Sequence, residues 1–250
     1  MRKNLVLIHG WGLNEAIWCN LSNVLKEHYD LHLLSMPGYG KLHGQPPADT
    51  LDTLANALLQ QAPDSAIWCG WSLGGMAAIR AAQIAPKRIQ SLYLLCSTPK
   101  FVTDKSWPYG TDIETFVQFA EDLTKDYPRG IQRFLLLQAG TSSDAKSTVK
   151  QAAKALNKYP APSPNTLMSG LDILKSADLR AELADITLPC HVIGGRRDRV
   201  VAPEATRYLS EKITGARYSE LNTGHAPHLS HPDALLSMMY MNTWRNNVCT

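Results

Sequence analysis

Ser72, Asp198 and His225 are the residues whose types and order point to chemistry in this chain, and that chemistry is acyl transfer. A serine hydroxyl is a weak nucleophile, so it needs a general base, and the base needs an acid to orient it. Ser72 sits in Gly70-Trp71-Ser72-Leu73-Gly74, after the apolar run Ala66 to Cys69 and before an alanine-rich stretch that reaches Ala85. A bare G-x-S-x-G arises by chance in many chains. Set between a strand and a helix, it reads as a nucleophile elbow. The sharp turn strains the serine backbone, and Gly70 and Gly74 leave room for neighbouring chain. The hydroxyl then stands at a helix N-terminus, where free N–H groups and the dipole favour negative charge. The competing reading of the same residues is a structural turn.

Asp198 follows Gly194-Gly195-Arg196-Arg197, directly after a strand over 190–193, which puts it at a strand C-terminus. His225 ends Asn222-Thr223-Gly224-His225 after the next strand, so the order is Ser…Asp…His. Taken singly, Asp198 could be a turn residue and His225 a helix cap. His228 and His231 are rivals for the base, and both read as structural. An oxyanion hole needs two backbone donors. These would be the N–H of Leu73 and, from the loop His9-Gly10-Trp11-Gly12, the N–H of Trp11, whose indole also reads as a core aromatic. The histidines share no HExxH spacing and no C-x-x-C occurs, so no metal is expected. Gly38-Tyr39-Gly40 lacks the third glycine and acidic partner of a dinucleotide loop, so no cofactor is expected either.

The elements that would hold these residues form an α/β pattern. Strands are expected at Leu5–Ile8, Leu31–Leu34, Ala66–Cys69 and Ser91–Cys96. Between them lie helices from about Asn14 to His28 and from Leu51 to Gln61, the latter capped by Asp49 or Thr50. After Ser97-Thr98-Pro99 the alternation stops, and only helical segments follow, at 111–125, 129–138, 144–158 and 164–176. It resumes with a strand at Cys190–Ile193, a helix at Pro203–Ile213, a strand at Tyr218–Leu221 and a helix from Asp233 to about Asn246. The expected fold is a mostly parallel, doubly wound sheet, with residues 1–98 and 189–250 as core and 99–188 as an all-helical lid over the strand C-terminal ends.

At 250 residues the chain fits one large domain, and its 44% hydrophobic and 19% charged content are those of a soluble globular protein. A net charge of +3 implies neither nucleic acid nor membrane as a partner. The five cysteines (Cys19, Cys69, Cys96, Cys190, Cys249) are widely spaced, and three lie in apolar runs as small buried hydrophobes. The four apolar residues Leu5 to Ile8 are too few for a signal peptide, so the expected setting is the reducing cytoplasm.

Charge is concentrated in one place. Between Tyr127 and Pro160, Arg129, Arg133, Lys146, Lys150, Lys154 and Lys158 face one acid, Asp144, and this net +5 exceeds that of the whole chain. The four lysines form an i,i+4 row, a self-repelling stripe that is either a solvated face or a dock for an acidic partner. Beside it, Phe134-Leu135-Leu136-Leu137-Gln138 is apolar over more than a turn, part of it lid core and the rest a roof for an acyl chain.

Together, Gly70-Trp71-Ser72-Leu73-Gly74-Gly75, His9-Gly10-Trp11-Gly12-Leu13-Asn14 and Leu171-Asp172-Ile173-Leu174-Lys175-Ser176-Ala177-Asp178-Leu179-Arg180 resemble the biotin-synthesis carboxylesterases. These α/β-hydrolases cleave the methyl ester of pimeloyl-acyl carrier protein. Gly224-His225-Ala226-Pro227 and Ser230-His231-Pro232 extend the likeness over nearly the whole chain. The resemblance implies Ser72, Asp198 and His225 as the triad, with Trp11, Leu73 and residues 134–138 joining Ser72 and His225 around the acyl chain. It also implies Arg129, Arg133, Lys146 and Lys150 as contacts to the acidic carrier protein; the expected working form is a monomer. The chain departs from that family in opening at the first core strand without an N-terminal hairpin. Ser35-Met36 also replaces an Asp-Leu pair, and His228 replaces an aromatic. Two alternatives share the triad or the scaffold: a generalist esterase or thioesterase, and a non-catalytic protein that binds a ligand or the carrier.

Overall fold

The computed structural model describes residues 2–140 and 145–245. Its strands are β1 (Lys3–Ile8), β2 (Tyr29–Leu34), β3 (Ala66–Trp71), β4 (Ile89–Leu95), β5 (Cys190–Gly195) and β6 (Arg217–Leu221). They form one sheet in the order β2-β1-β3-β4-β5-β6, and every neighbouring pair is parallel. Alternate residues feed two cores, as a sheet covered on both faces requires. Val6, Ile8, Trp68, Leu92, Leu94 and Val192 belong to one, and Leu5, Leu7, Ile67, Cys69, Tyr93 and Ile193 to the other.

The helices within the alternating parts are α1 (Cys19–Leu25), α2 (Leu51–Gln61) and α3 (Leu73–Ile84). Between β4 and β5 come α4 (Ile113–Lys125), α5 (Tyr127–Ala139), α6 (Ala145–Leu156) and α7 (Pro164–Ser176). The chain then carries α8 (Pro203–Lys212), α9 (Pro227–Ser230) and α10 (Pro232–Arg245). Between β4 and β5 the described residues show isolated bridges only, such as Lys100 with Asp178, and no further strand of the sheet.

Several boundaries differ from those read in the sequence. The helix expected from Asn14 arrives as a 3-10 turn, Glu15–Trp18, followed by α1. Asn14 caps that turn by accepting the Ala16 N–H at 3.0 Å, and its own amide donates to the Ala155 carbonyl at 3.2 Å. Thr50, rather than Asp49, caps α2 in a reciprocal box with Thr53. α5 begins at Tyr127 because Asp126 caps it, accepting the Arg129 N–H at 3.2 Å, and Pro128 suits its first turn. The last helix is preceded by the separate turn α9. Asp144, Asn246 and Cys249 lie outside the described residues. Among the described residues no helix is long and apolar enough to cross a membrane.

Candidate active site

Ser72 joins β3 to α3 with φ 56° and ψ −121°, a conformation that non-glycine residues rarely adopt. The surrounding residues over-determine it. The Ser72 N–H donates to Leu95 O at 2.9 Å, and its carbonyl accepts from the Gly75 and Met76 N–H groups and from the Ser97 hydroxyl at 2.9 Å. A Cβ on Gly70 would overlap the Gly74 carbonyl, and one on Gly74 would lie 2.5 Å from the His9 oxygen. Both glycines of the motif are therefore set by close approach of backbone to backbone.

Asp198 and His225 meet directly. Nδ1 of His225 lies 2.7 Å from Asp198 Oδ2, with both side chains almost wholly buried. Oδ1 accepts the Val200 and Val201 N–H groups at 2.8 and 2.9 Å, so every carboxylate oxygen has a partner. The two supporting loops are stitched together, since Arg196 N–H donates to Leu221 O and Arg197 N–H to Thr223 O. A proton on Nδ1, held by Asp198, leaves the lone pair on Nε2, which is buried and has no hydrogen-bond partner among the described residues. That is the state a general base needs. The link to Ser72 runs through the preceding residue, as Trp71 Nε1–H donates to the His225 carbonyl at 2.7 Å. No direct bond joins the Ser72 hydroxyl to His225, and such bonds are often long before substrate closes a site.

The loop after β1 lies against the serine. A Cβ on Gly10 would come 3.3 Å from Ser72 Cβ and 3.1 Å from the Trp71 ring. His9 fixes this loop: its Nδ1 is 2.9 Å from Gly10 O, and its Nε2 accepts the Met36 N–H at 3.1 Å. Burial pushes His9 down to about 4, so the ring is neutral with the proton on Nδ1. The N–H groups of Trp11 and Leu73 donate to no acceptor among the described residues. The Trp11 indole is 2% exposed, donates to Leu167 O at 3.0 Å, and packs edge-on against Phe134 and Phe119. It is the anchor by which α4, α5 and α7 sit on the strand ends.

The run 134–138 divides by helical face. Phe134 and Leu135 enter the two cores and Gln138 is buried, whereas Leu136 and Leu137 are 56% and 41% exposed. The run therefore does not present one continuous roof. Arg129, Arg133, Lys146, Lys150 and Lys154 are exposed on α5 and α6. The lysine row ends there, because Lys158 lies beyond α6 and donates to Cys19 Sγ at 3.1 Å. Arg133 lies 3.6 Å from Asp122 of α4.

Of the rival histidines, His231 pairs with the Ser230 hydroxyl at 3.0 Å. His228 is fully buried between Trp18 and Trp71, each at 4.5 Å, with neither nitrogen bonded. Burial, reinforced by His225 nearby, pushes it down to about 3. Sequence reasoning missed Cys96, whose sulfur, with Asp198 and His225, completes the one group of three His, Cys, Asp or Glu side chains among the described residues whose ligand atoms lie within 4.8 Å of one another. Its φ of 44° is a backbone signal invisible in composition. Burial holds it as a neutral thiol, and Asp198 already has its full set of partners. The cluster is thus an acid–base pair with a thiol beside it, and it lacks the open carboxylate of a metal cage.

A family model described as alpha/beta hydrolase family matches residues 5–237. Pimeloyl-[acyl-carrier protein] methyl ester esterase of Nitrosomonas europaea is 36% identical over 235 residues, covering 94% of this chain and 93% of the relative. The protein of that name from Pectobacterium atrosepticum is 38% identical over 232 residues, covering 92% and 90%. Among solved structures, an esterase from Exiguobacterium antarcticum superposes with a TM-score of 0.85 at 23% identity, covering 96% of this chain and 91% of that one. The enol-lactonase from Burkholderia xenovorans LB400 does so at 0.83 and 22%, covering 96% and 90%. At those identities the structures speak to the fold alone. The chain belongs to the alpha/beta hydrolase family, within which it groups with the relatives named pimeloyl-[acyl-carrier protein] methyl ester esterases, and it is a carboxylic ester hydrolase.

Proposed function

We propose that this esterase hydrolyses the methyl ester of pimeloyl-acyl carrier protein, giving the free distal carboxylate and methanol for biotin synthesis. The observation that carries the mechanism is the buried Asp198–His225 pair with its unpartnered Nε2, set beside the strained Ser72 turn. His225 Nε2 takes the Ser72 proton as Oγ attacks the ester carbonyl. The Trp11 and Leu73 N–H groups hold the oxyanion, and Asp198 stabilises the imidazolium. The imidazolium then protonates the departing methoxide. Water, deprotonated by His225, attacks the acyl-enzyme, and the proton returns to Ser72. Residues 99–188 act as a lid, with Trp11, Phe134, Leu135 and Gln138 on its inner side and Leu136 and Leu137 at its rim. Arg129, Arg133, Lys146 and Lys150 form the docking face for the acidic carrier. The working form is a cytoplasmic monomer.

The deciding experiment follows methanol release from pimeloyl-acyl carrier protein methyl ester, at low and moderate salt, with wild type and Ser72→Ala. Serine-dependent turnover that weakens as salt rises supports the esterase reading and the charged dock. Brisk cleavage of short p-nitrophenyl esters with none of the carrier ester favours a generalist esterase instead. Absence of fluorophosphonate labelling at Ser72 would favour a binding protein.

A further inference from the structure

The end of α5 does more than close a helix. Its last carbonyls have no intrahelical partner. One of them, Gln138 O, accepts the main-chain N–H of His225 at 2.8 Å. The seat is tight: a Cβ on Gly224 would lie 2.6 Å from Gln138 O and 2.9 Å from Ala139 O. Gly140, just past the helix, would bring a Cβ 3.3 Å from Arg197 O, on the loop that carries Asp198. At mid-helix, Ile131 Cδ1 would be 3.3 Å from a Cβ on Gly12, and Phe134 packs on Trp11 at 5.1 Å. The helix and the glycine that ends it therefore lie against the oxyanion loop, the aspartate loop and the histidine loop.

We infer that α5 is a positioning element for the acid–base pair: it sets His225 through the Gln138 carbonyl, so a load on α5 is felt as misalignment of that histidine. Arg129 and Arg133 stand exposed on the same helix, so a partner seated on them bears on the element that holds the base. The inference rests on the reading of Ser72, Asp198 and His225 as a working triad. It adds that the insertion is part of the catalytic frame and more than a cover. α5 is 13 residues long, and a helix rises about 1.5 Å per residue, so its two ends communicate over about 20 Å as a rigid rod.

Two substitutions test it on the full chain. Gly224→Ala has no backbone strain to meet, since its φ is not positive, but its methyl must push the end of α5 away. Gly130→Ala lies near the other end. It favours helix formation, and its methyl would lie 3.1 Å from Leu123 Cα, a main-chain atom of α4 that no side-chain rotation relieves, pressing α5 away from α4. For a short p-nitrophenyl ester, Gly224→Ala is expected to lower kcat by about tenfold or more with KM within about twofold. Its low-field proton resonance from His225 Nδ1–H should move or broaden. Gly130→Ala should lower kcat by about threefold and move the same resonance, a response that simple loosening of the α4–α5 contact would not give. Wild-type kcat and an unmoved resonance in a folded Gly224→Ala overturn the inference. If that variant does not fold, an unmoved resonance and unchanged kcat in Gly130→Ala overturn it. Failure of the triad reading looks different: wild type and Ser72→Ala would then hydrolyse the ester equally, while the resonance would still report whether α5 sets the histidine.

Discussion

Replacing His228 by phenylalanine should make the protein markedly less sensitive to acid. In the folded state His228 is buried between Trp18 and Trp71, has no hydrogen-bond partner at either nitrogen, and is held down to about 3. Unfolded, the same imidazole titrates at its ordinary value near 6.5. As pH falls below that value the unfolded chain takes up a proton that the native state refuses, so stability falls with pH across the window between about 6.5 and 3 and is fully present above it. At about pH 5 the unfolded imidazole is favoured by a factor of about 30, or about 2 kcal/mol, whereas at about pH 8 the effect vanishes. The figure depends hardly at all on how low the native value lies, provided it stays below about 4. Phenylalanine is larger, and any crowding adds an offset common to both pH values. The assay is urea unfolding of wild type and His228→Phe at about pH 8 and about pH 5. The variant should lose about 2 kcal/mol less than wild type on acidification. Equal losses within about 0.5 kcal/mol would refute the buried, neutral, unpartnered state of His228, whatever the absolute stabilities.

Asp198→Asn keeps the shape of the pair but removes the charge and the Nδ1–H tautomer preference; kcat on a short ester should fall by about 10⁴ with little change in KM. Reversing Arg129, Arg133, Lys146 and Lys150 to Glu should lower kcat/KM for the carrier-bound ester at least about tenfold relative to a short ester, and flatten its salt dependence; an unchanged ratio would remove the carrier dock. Gly70→Ala must displace the Gly74 carbonyl that faces it. Loss of cooperative unfolding, or of Ser72 labelling in whatever folds, is the expected outcome, and wild-type labelling would contradict the close approach.

What the sequence made legible was local. The turn around Ser72 could be read because strand, glycine spacing and helix all lie within one short stretch, and β5 with Asp198 and β6 with His225 follow the same grammar. The cap of α2 was legible to within one residue, Asp49 or Thr50, whereas the Asp126 cap that starts α5 at Tyr127 emerged only from geometry. What stayed hidden is carried by contacts between distant residues or by main-chain groups that every residue type possesses. Trp71 holds the His225 carbonyl across 154 positions, and the Gln138 carbonyl would serve as well from any other side chain. Gln138 stands out in the sequence only as the end of an apolar run, yet its contribution is its backbone. The same run shows why apolarity alone misleads. Leu136 and Leu137 look no different in sequence from Leu135, but helical phase leaves them outside.

The groups around the candidate triad share one property that bears on how it works. His9 is held down to about 4 and His228 to about 3, and Cys96 is pushed well above a normal thiol, each chiefly by burial. At neutral pH all three are uncharged, so among the described residues Asp198 is the one carboxylate paired with the histidine that must become imidazolium. A cation at position 228 would repel that imidazolium, and a thiolate at position 96 would repel the Asp198 carboxylate. In a poorly solvated site either term would be large, at an effective dielectric near 20 about 4 kcal/mol for a pair at about 4 Å. Burial removes both without adding a partner. It also couples acid to the fold: the unfolded chain takes up the proton that the buried His228 refuses, so acid works against the native state. His228→Phe should therefore hold the native structure to lower pH than wild type, read by circular dichroism across an acid titration.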